Sequence, residues 1–394
     1  MDQLRSKKQS VFFYLIGLLM LLVSSVSFAT QPIVIAPNTI VSYPKTYDNV
    51  TLDMSNGSFI IKNNATLTIK NSIINGTLSK ANPNLINVEN GQLSIINSQA
   101  NIKSVNIAPH PETQSLINMI LVGTGKLTLD NNKFKIDQAY TAGFLITTSN
   151  IPTSDIKITN NYFEKFHGVL YLIGTDGALV SNNMFMNNSY GNIVLIGNNS
   201  KITQNTVYFS GGNRLGDGID VIDSTNIIVS NNYLFTPTCR GIYVFNSRDV
   251  MVANNRISGG ITYAMIVITY PEKFSLDKSF ESPNYLKEVL AQHEMKNVKS
   301  ANITIINNYM AQNRFGIAAS DTDGLLIKNN IFIQRFEDND ARQFWTNNSI
   351  LIKNVTGLVW NGNLYKEAYT QEENGDNSNS SKFVTFPATG GVTL

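Results

Sequence analysis

A pair of asparagines between apolar residues returns along the chain as "ITNNYF" (Ile158 to Phe163), "VSNNMF" (Val180 to Phe185), "VSNNYL" (Val229 to Leu234), "VANNRI" (Val252 to Ile257), "IINNYM" (Ile305 to Met310) and "IKNNIF" (Ile327 to Phe332). "ITQNTV" (Ile202 to Val207) is a variant with Gln204 in the first place. The second Asn falls at 161, 183, 205, 232, 255, 308 and 330, so the steps are 22, 22, 27, 23, 53 and 22. A repeat of this length marks a solenoid. Alternating apolar residues around an Asn turn suit one coil of a parallel β-helix, built of short strands and turns at about 22 residues per coil. Asn fits the corner because it tolerates a left-handed backbone and hydrogen-bonds locally. Stacked coils then align the asparagines as a ladder, and every pair has a structural explanation before any functional one.

Weaker copies, "LDNNKF" (Leu129 to Phe134) and "WNGNLY" (Trp360 to Tyr365), fit at either end, and the stretches from Leu67 and Leu93 add coils upstream. The expected organisation is one all-β solenoid domain over residues 30–365. The step of 53 contains an insertion at 270–300, in which Ser282 and Pro283 start a helix with Leu286, Val289 and Leu290 on one face. Residues 366–394 read as a polar, largely disordered tail with a last strand in "FVTFPA".

The first residues carry Arg5, Lys7 and Lys8, then an apolar run from Val11 to Val23, then Ser27 and Ala29 spaced as a cleavage site. Residues 1–29 therefore read as a signal peptide; the run is shorter than the roughly 20 apolar residues of a membrane span. The expected destination is the periplasm or the extracellular space. Removing the segment takes the 30 basic and 28 acidic residues to 27 and 27. Near-neutrality argues against nucleic acid as a partner, and an acidic ligand has to meet a local basic patch. Cys239 is the single cysteine, so no intramolecular disulfide forms. His110, His167 and His293 lack ligand spacing, and no metal site is expected. "NRLGDG" is too short for a phosphate loop, and "NGS", "NAT" and "NGT" arise by chance in an Asn-rich chain.

Coils placed in register bring residues one period apart to about 4.8 Å on neighbouring rungs. Asp217 and Arg240 both lie 14 residues before the first Asn of a pair, at 231 and 254. Extending that column gives His167, Tyr190, Asp217, Arg240, Tyr263 and Phe315, each preceding a small residue, with one-residue shifts in the first two coils. Ile219, Val221, Ile242 and Val244 point inward, and Asp220 and Tyr243 form a second, outward column. His167, Tyr190, Asp217, Arg240 and Tyr263 are the candidate catalytic residues; Arg214, Asp220, Asp223 and Tyr243 are the candidate substrate-binding ones.

Three chemistries fit this column. A carboxylate-bearing sugar can lose its C-5 proton to His167, Tyr190 or Tyr263 while Arg240 neutralises its carboxylate. Protonating the leaving oxygen then makes a lyase, and returning the proton to the other face makes an epimerase. Asp217 with Asp220 or Asp223 can instead serve as the two carboxylates of a glycoside hydrolase. The plain alternative is an exposed Asp217–Arg240 ion pair of little worth in a row of merely exposed tyrosines.

"GIDVIDSTNIIVSNN" and "GIYVFNSRDVMVANN" resemble the right-handed parallel β-helix repeats of the pectin-lyase-like superfamily, from about Leu129 to Tyr365. The resemblance implies a right-handed coil and a superfamily that includes pectate and alginate lyases, polygalacturonases, alginate C-5 epimerases and periplasmic copper-maturation proteins. "GDGIDV" is similar to the polygalacturonase Asn-Thr-Asp-Gly strand, which implies an acid role for Asp217. The Asp-Asp pair and Gly-His-Gly motif of that family are absent: Pro237, Thr238, Cys239 and Arg240 stand at one place, "SGGITYA" at the other. "FHGVLYLIG" resembles the His-Gly strand starts of alginate epimerases, whose Asp-Pro-His-Asp motif is missing. Three His and one Cys do not assemble a copper site. The expected function is that of an exported, monomeric lyase or C-5 epimerase acting on an anionic, uronic-acid-containing polysaccharide. No cofactor is dictated, and calcium stays open. The rival is a non-catalytic carbohydrate-binding or surface β-helix, since the repeat alone requires no catalysis.

Overall fold

Each Asn pair marks the same corner of a coil, and the coils stack. The computed structural model describes residues 31–107, 117–139, 141–147, 155–189, 191–210, 217–237, 240–259, 263–269, 299–311, 313, 315–335, 350–368 and 382–385. Among these, every coil lays down up to three short strands that pair in parallel with their counterparts in the next coil. The first face includes Leu170–Asp176, Ile193–Asn198, Ile219–Ile222, Arg240–Phe245 and Tyr263–Ile268. The second includes Thr225–Ser230, Arg248–Ala253 and Ala301–Ile306, and the third Tyr162–Glu164, Thr206–Ser210, Tyr233–Pro237 and Tyr309–Ala311. The third face is one sheet of 14 strands, whose last member, Lys382–Thr385, runs antiparallel to Leu364–Ala368. The other two faces join into 24 strands through the pairing of Asn198 with Thr225.

The 22-residue step holds between Tyr162, Met184 and Thr206, which lie opposite one another. Elsewhere it lengthens, to 34 between Gln99 and Lys133 and to 53 between Arg256 and Tyr309. The mean is about 26 residues per turn. Additional residues enter between strands, so the ladder keeps its register. The insertion helix expected within 270–300, the leader at 1–29, His110, His293, Cys239, Tyr190 and Arg214 lie outside the described residues. Among those residues no helix is long and apolar enough to cross a membrane.

The corner between the second and third faces explains the Asn pairs. The first Asn of each pair adopts positive φ, as at Asn160 (58°), Asn182 (56°), Asn231 (56°) and Asn254 (56°), and Gln204 does the same (58°). The second is buried. Asn232 Oδ1 accepts from the backbone N–H and the Nδ2 of Asn205, and its own Nδ2 donates to the Ile202 carbonyl and to Asn255 Oδ1. Asn132, Asn161, Asn183, Asn308, Asn330 and Asn363 extend the same chain. Each amide thus satisfies backbone groups that bend away from the strand pairing at the corner, where unpaired groups would be costly.

A second ladder runs along the corner between the first and second faces. Ser224 N–H donates to Ser247 Oγ and Gly197 N–H to Ser224 Oγ, while Ser247 Oγ–H donates to the Phe245 carbonyl. Ser300 continues this ladder, accepting from the Ser247 N–H, and Ser200 accepts from the Ala178 N–H three residues further along its coil. Inside both ladders the core is one continuous apolar column, with Phe134, Phe144 and Phe163 stacked in mutual contact.

Candidate functional site

Parallel pairing aligns Asp217, Arg240, Tyr263 and Phe315, four members of the column that the repeat suggested. Arg240 lies opposite Tyr263, and Tyr263 opposite Phe315. Ile219 lies opposite Ile242, so Asp217 falls opposite Arg240. Going back one coil, Ile193 faces Ile219, which sets Gly191 beside Asp217. His167 bridges to Ser189, with Nδ1 3.0 Å from the Ser189 hydroxyl. The small residue after each column member has a steric cause: a Cβ on Gly218 would come 2.5 Å from the Gly241 carbonyl oxygen, and one on Gly241 2.5 Å from that of Ala264.

Asp217 and Arg240 form a fork-on-fork pair. Arg240 Nε donates to Asp217 Oδ1 at 3.0 Å, Nη2 to Oδ2 at 2.8 Å, and the Arg240 backbone N–H to Oδ1 at 3.0 Å. The side chains are 16% and 8% exposed, so this is a largely desolvated ion pair rather than the exposed one weighed from sequence. The guanidinium also lies 4.6 Å from the centre of the Tyr243 ring. The edge of the guanidinium formed by Nε and Nη2 is thus engaged by Asp217.

Asp220 is the least expected member. It occupies the outward row of the first face, opposite Val194 on one side and Tyr243 on the other. That row is shielded: Ile146, Tyr171, Ile173, Val194, Ile196, Ile222, Tyr243 and Phe245 make a second apolar cluster outside the solenoid core. Asp220 is 4% exposed, and its Oδ1 meets no hydrogen-bond partner among the described residues. Burial pushes its carboxyl well above the ordinary carboxylate range, the charge of Asp217 adds to this, and Arg240 opposes both. The two carboxylates, three residues apart, are therefore placed differently: Asp217 pairs with Arg240, whereas burial pushes the Asp220 carboxyl toward its protonated form. Such division is how one site holds an acid and a base together.

The neutral acid has a measurable signature. Above pH about 4 the unfolded chain releases the Asp220 proton while the folded chain keeps it. The folded state then binds more protons, so stability falls as pH rises until the folded group itself titrates. An Asp220→Asn variant is expected to lose that decline, which amounts to at most about 1.4 kcal/mol per pH unit, in urea unfolding from pH 4 upward.

The other candidates separate. Tyr243 is 3% exposed and stacks on Phe245 at 5.9 Å, so it belongs to the apolar cluster. Asp223 sits at the corner with φ 44°, directly before Ser224 of the serine ladder. His167 is 1% exposed and Tyr263 half-buried. The first face therefore carries a closed cluster rather than the open edge expected from the sequence, because its outward positions are apolar and covered. Among the described residues no group of three His, Cys, Asp or Glu is placed to hold a metal. Two clefts, of about 560 and 620 Å³, lie away from this cluster along the third face, one lined by Asn75, Asn101, Lys135 and Glu164, the other by Asn97, Lys133 and Tyr162. Sequence reasoning missed that face, the serine ladder and the outer apolar cluster.

Residues 91–257 and 167–280 match the right handed beta helix region family. No curated protein sequence matches the chain. Among solved structures, a PL6 alginate lyase in complex with a trisaccharide is 13% identical, with 90% of this chain and 87% of that one covered at a TM-score of 0.46. The periplasmic alginate epimerase AlgG is 14% identical, with 82% and 78% covered at 0.41. The DFA-IIIase of Arthrobacter chlorophenolicus is 12% identical, with 74% and 82% covered at 0.40.

Proposed function

Taking as premise that the chain is a right-handed parallel β-helix, we propose that it acts on a uronic-acid-containing polysaccharide by removing the C-5 proton of a uronate. The observation that carries this reading is Asp220, a carboxyl buried with no hydrogen-bond partner for Oδ1 among the described residues, which burial pushes upward beside the Asp217–Arg240 ion pair.

Removing the C-5 proton puts negative charge onto the substrate carboxylate, and a donor aimed at that charge lowers the barrier. A neutral Asp220 supplies an O–H where an ionised one would repel the sugar. In this account Arg240 holds Asp217 and stacks on Tyr243. His167, Tyr190 or Tyr263 takes the C-5 proton. In a lyase the C4–O4 bond then breaks, a C4=C5 double bond forms and the leaving oxygen receives a proton. In an epimerase the proton returns to C-5 from the opposite face.

Ultraviolet absorbance of unsaturated uronate separates these outcomes when full-length protein is given alginate, pectate and glycosaminoglycans. A rise that Asp220→Asn lowers by about a hundredfold or more supports elimination with Asp220 as its acid. An unchanged rate in that variant removes Asp220 from the chemistry. Burial of His167, Asp217, Asp220 and Tyr243 favours a second reading, in which this face is structural and the protein binds carbohydrate without turnover.

A further inference from the structure

The outer surface of the third face differs from the closed first face. Its strands keep strict register, so one outward position per coil forms a line: Lys133 opposite Tyr162, Thr206 opposite Tyr233, Tyr233 opposite Arg256, and Arg256 opposite Tyr309. Arg256 is exposed and held between two rings, its guanidinium 5.4 Å from the centre of Tyr233 and 4.9 Å from that of Tyr309. Beside it Tyr233 and Phe235 lie within 9° of parallel at 5.9 Å, and Tyr208 and Phe235 within 9° at 5.3 Å. At the other end Lys133 sits 5.7 Å from the Tyr162 ring.

Among the described residues neither Lys133 nor Arg256 enters an ion pair. The line from Lys133 through Arg256 to Tyr309 contains no acidic residue, and Glu164 beside it, which accepts from the Tyr162 hydroxyl, is paired with Lys135. Both clefts noted above open onto the amino-terminal part of this face, the second including Lys133 and Tyr162 themselves.

We propose that this face is a binding track for an extended acidic polysaccharide, separate from the first-face cluster. Flat aromatic rings accept the apolar faces of sugar rings, and cations held against those rings by cation–π contact are pre-ordered for carboxylates. A solenoid repeats its surface every 4.8 Å or so, so a ligand that also repeats along a line can use equivalent positions on successive coils. The absence of acidic residues from the line selects an anionic polymer over a neutral one. The choice of polyuronate as ligand rests on the reading above; the surface itself does not depend on the first face.

The test is affinity electrophoresis of the full chain through gels containing alginate, polygalacturonate or neutral dextran. Wild type is expected to be retarded by the polyuronates and not by dextran, and less so at high salt. An Arg256→Gln/Tyr309→Ala variant is expected to bind at least about tenfold more weakly, with an unchanged melting temperature. Met251→Gln, at an exposed position on the second face, is expected to bind as wild type. Equal retardation of wild type and the double variant overturns the track while leaving first-face chemistry standing. Loss of retardation in the double variant, in a protein that shows no uronate turnover, keeps the track and overturns the chemistry. Equal retardation by dextran, or none by any polyuronate, overturns the track as an acidic-glycan site.

Discussion

Asn232→Ala is expected to lower the unfolding free energy by about 3–4 kcal/mol, measured by urea denaturation. The substitution removes an amide that is 1% exposed and joins two coils at once. It deprives Asn205 of an acceptor for both its backbone N–H and its Nδ2, and strips the donor from the Ile202 carbonyl and one from Asn255 Oδ1. At about 1–3 kcal/mol for each buried group left unsatisfied, partial relaxation still leaves a loss of this size. Its neighbour provides the contrast. Asn231 is exposed and is there for its φ of 56°, so Asn231→Gly keeps the conformation and is expected to change stability by only a few tenths of a kcal/mol. Equal effects at the two positions would mean that the ladder does not carry the corner.

Arg240→Ala is expected to cost about 3–5 kcal/mol, because it leaves Asp217 charged and buried without its partner. Three hydrogen bonds converge on Asp217 from this one residue, two from the side chain and one from the backbone, and only the last survives. Asp220 loses the one cation that opposes its upward shift, so its acid stays neutral to still higher pH. Replacing both members, Asp217→Asn with Arg240→Met, removes the stranded charge and is expected to recover more than half of the loss. If the double variant is as unstable as the sum of the singles, the pair is not coupled and the fork geometry carries no stability.

The coil and its corner were legible in the sequence because one residue type has one physical reason to be there. Asn tolerates positive φ and bridges rungs, so its spacing reports the pitch, and Gln204 at the same φ as its Asn neighbours marks where conformation rather than identity is retained. The stacking of Asp217, Arg240 and Tyr263 was legible for the same reason, since counting back from the Asn pair fixes register. Ser224, Ser247 and Ser300 carry a ladder of their own at the other corner. It escaped notice because a lone Ser is an ordinary turn residue.

Burial was not legible. A residue alternating outward on a strand normally meets water, yet Ile146, Tyr171, Val194 and Tyr243 do so and are covered. Sequence alternation distinguishes two sides of a strand, not whether the outer side is shielded. For that reason Asp220 read as a substrate-binding carboxylate beside an exposed column, whereas its shielded position gives it the character of a neutral acid. On the third face Tyr233, Arg256 and Tyr309 each directly follow an Asn pair, and the repeat alone gives no sign that their outward places form one line.

The most direct test of the account is solvent exchange at C-5. Full-length protein and Asp220→Asn are incubated with polymannuronate and polygalacturonate in deuterium oxide, and deuterium at C-5 is read by NMR in the polymer and its products together with any unsaturated ends. The account predicts that wild type opens the C-5–H bond, leaving either deuterium at that carbon or a double bond there, and that Asp220→Asn does so at least about a hundredfold more slowly. Intact C-5–H bonds in every acidic polymer offered, with the protein folded and the polymers in excess, would contradict it and leave the solenoid as a binding protein.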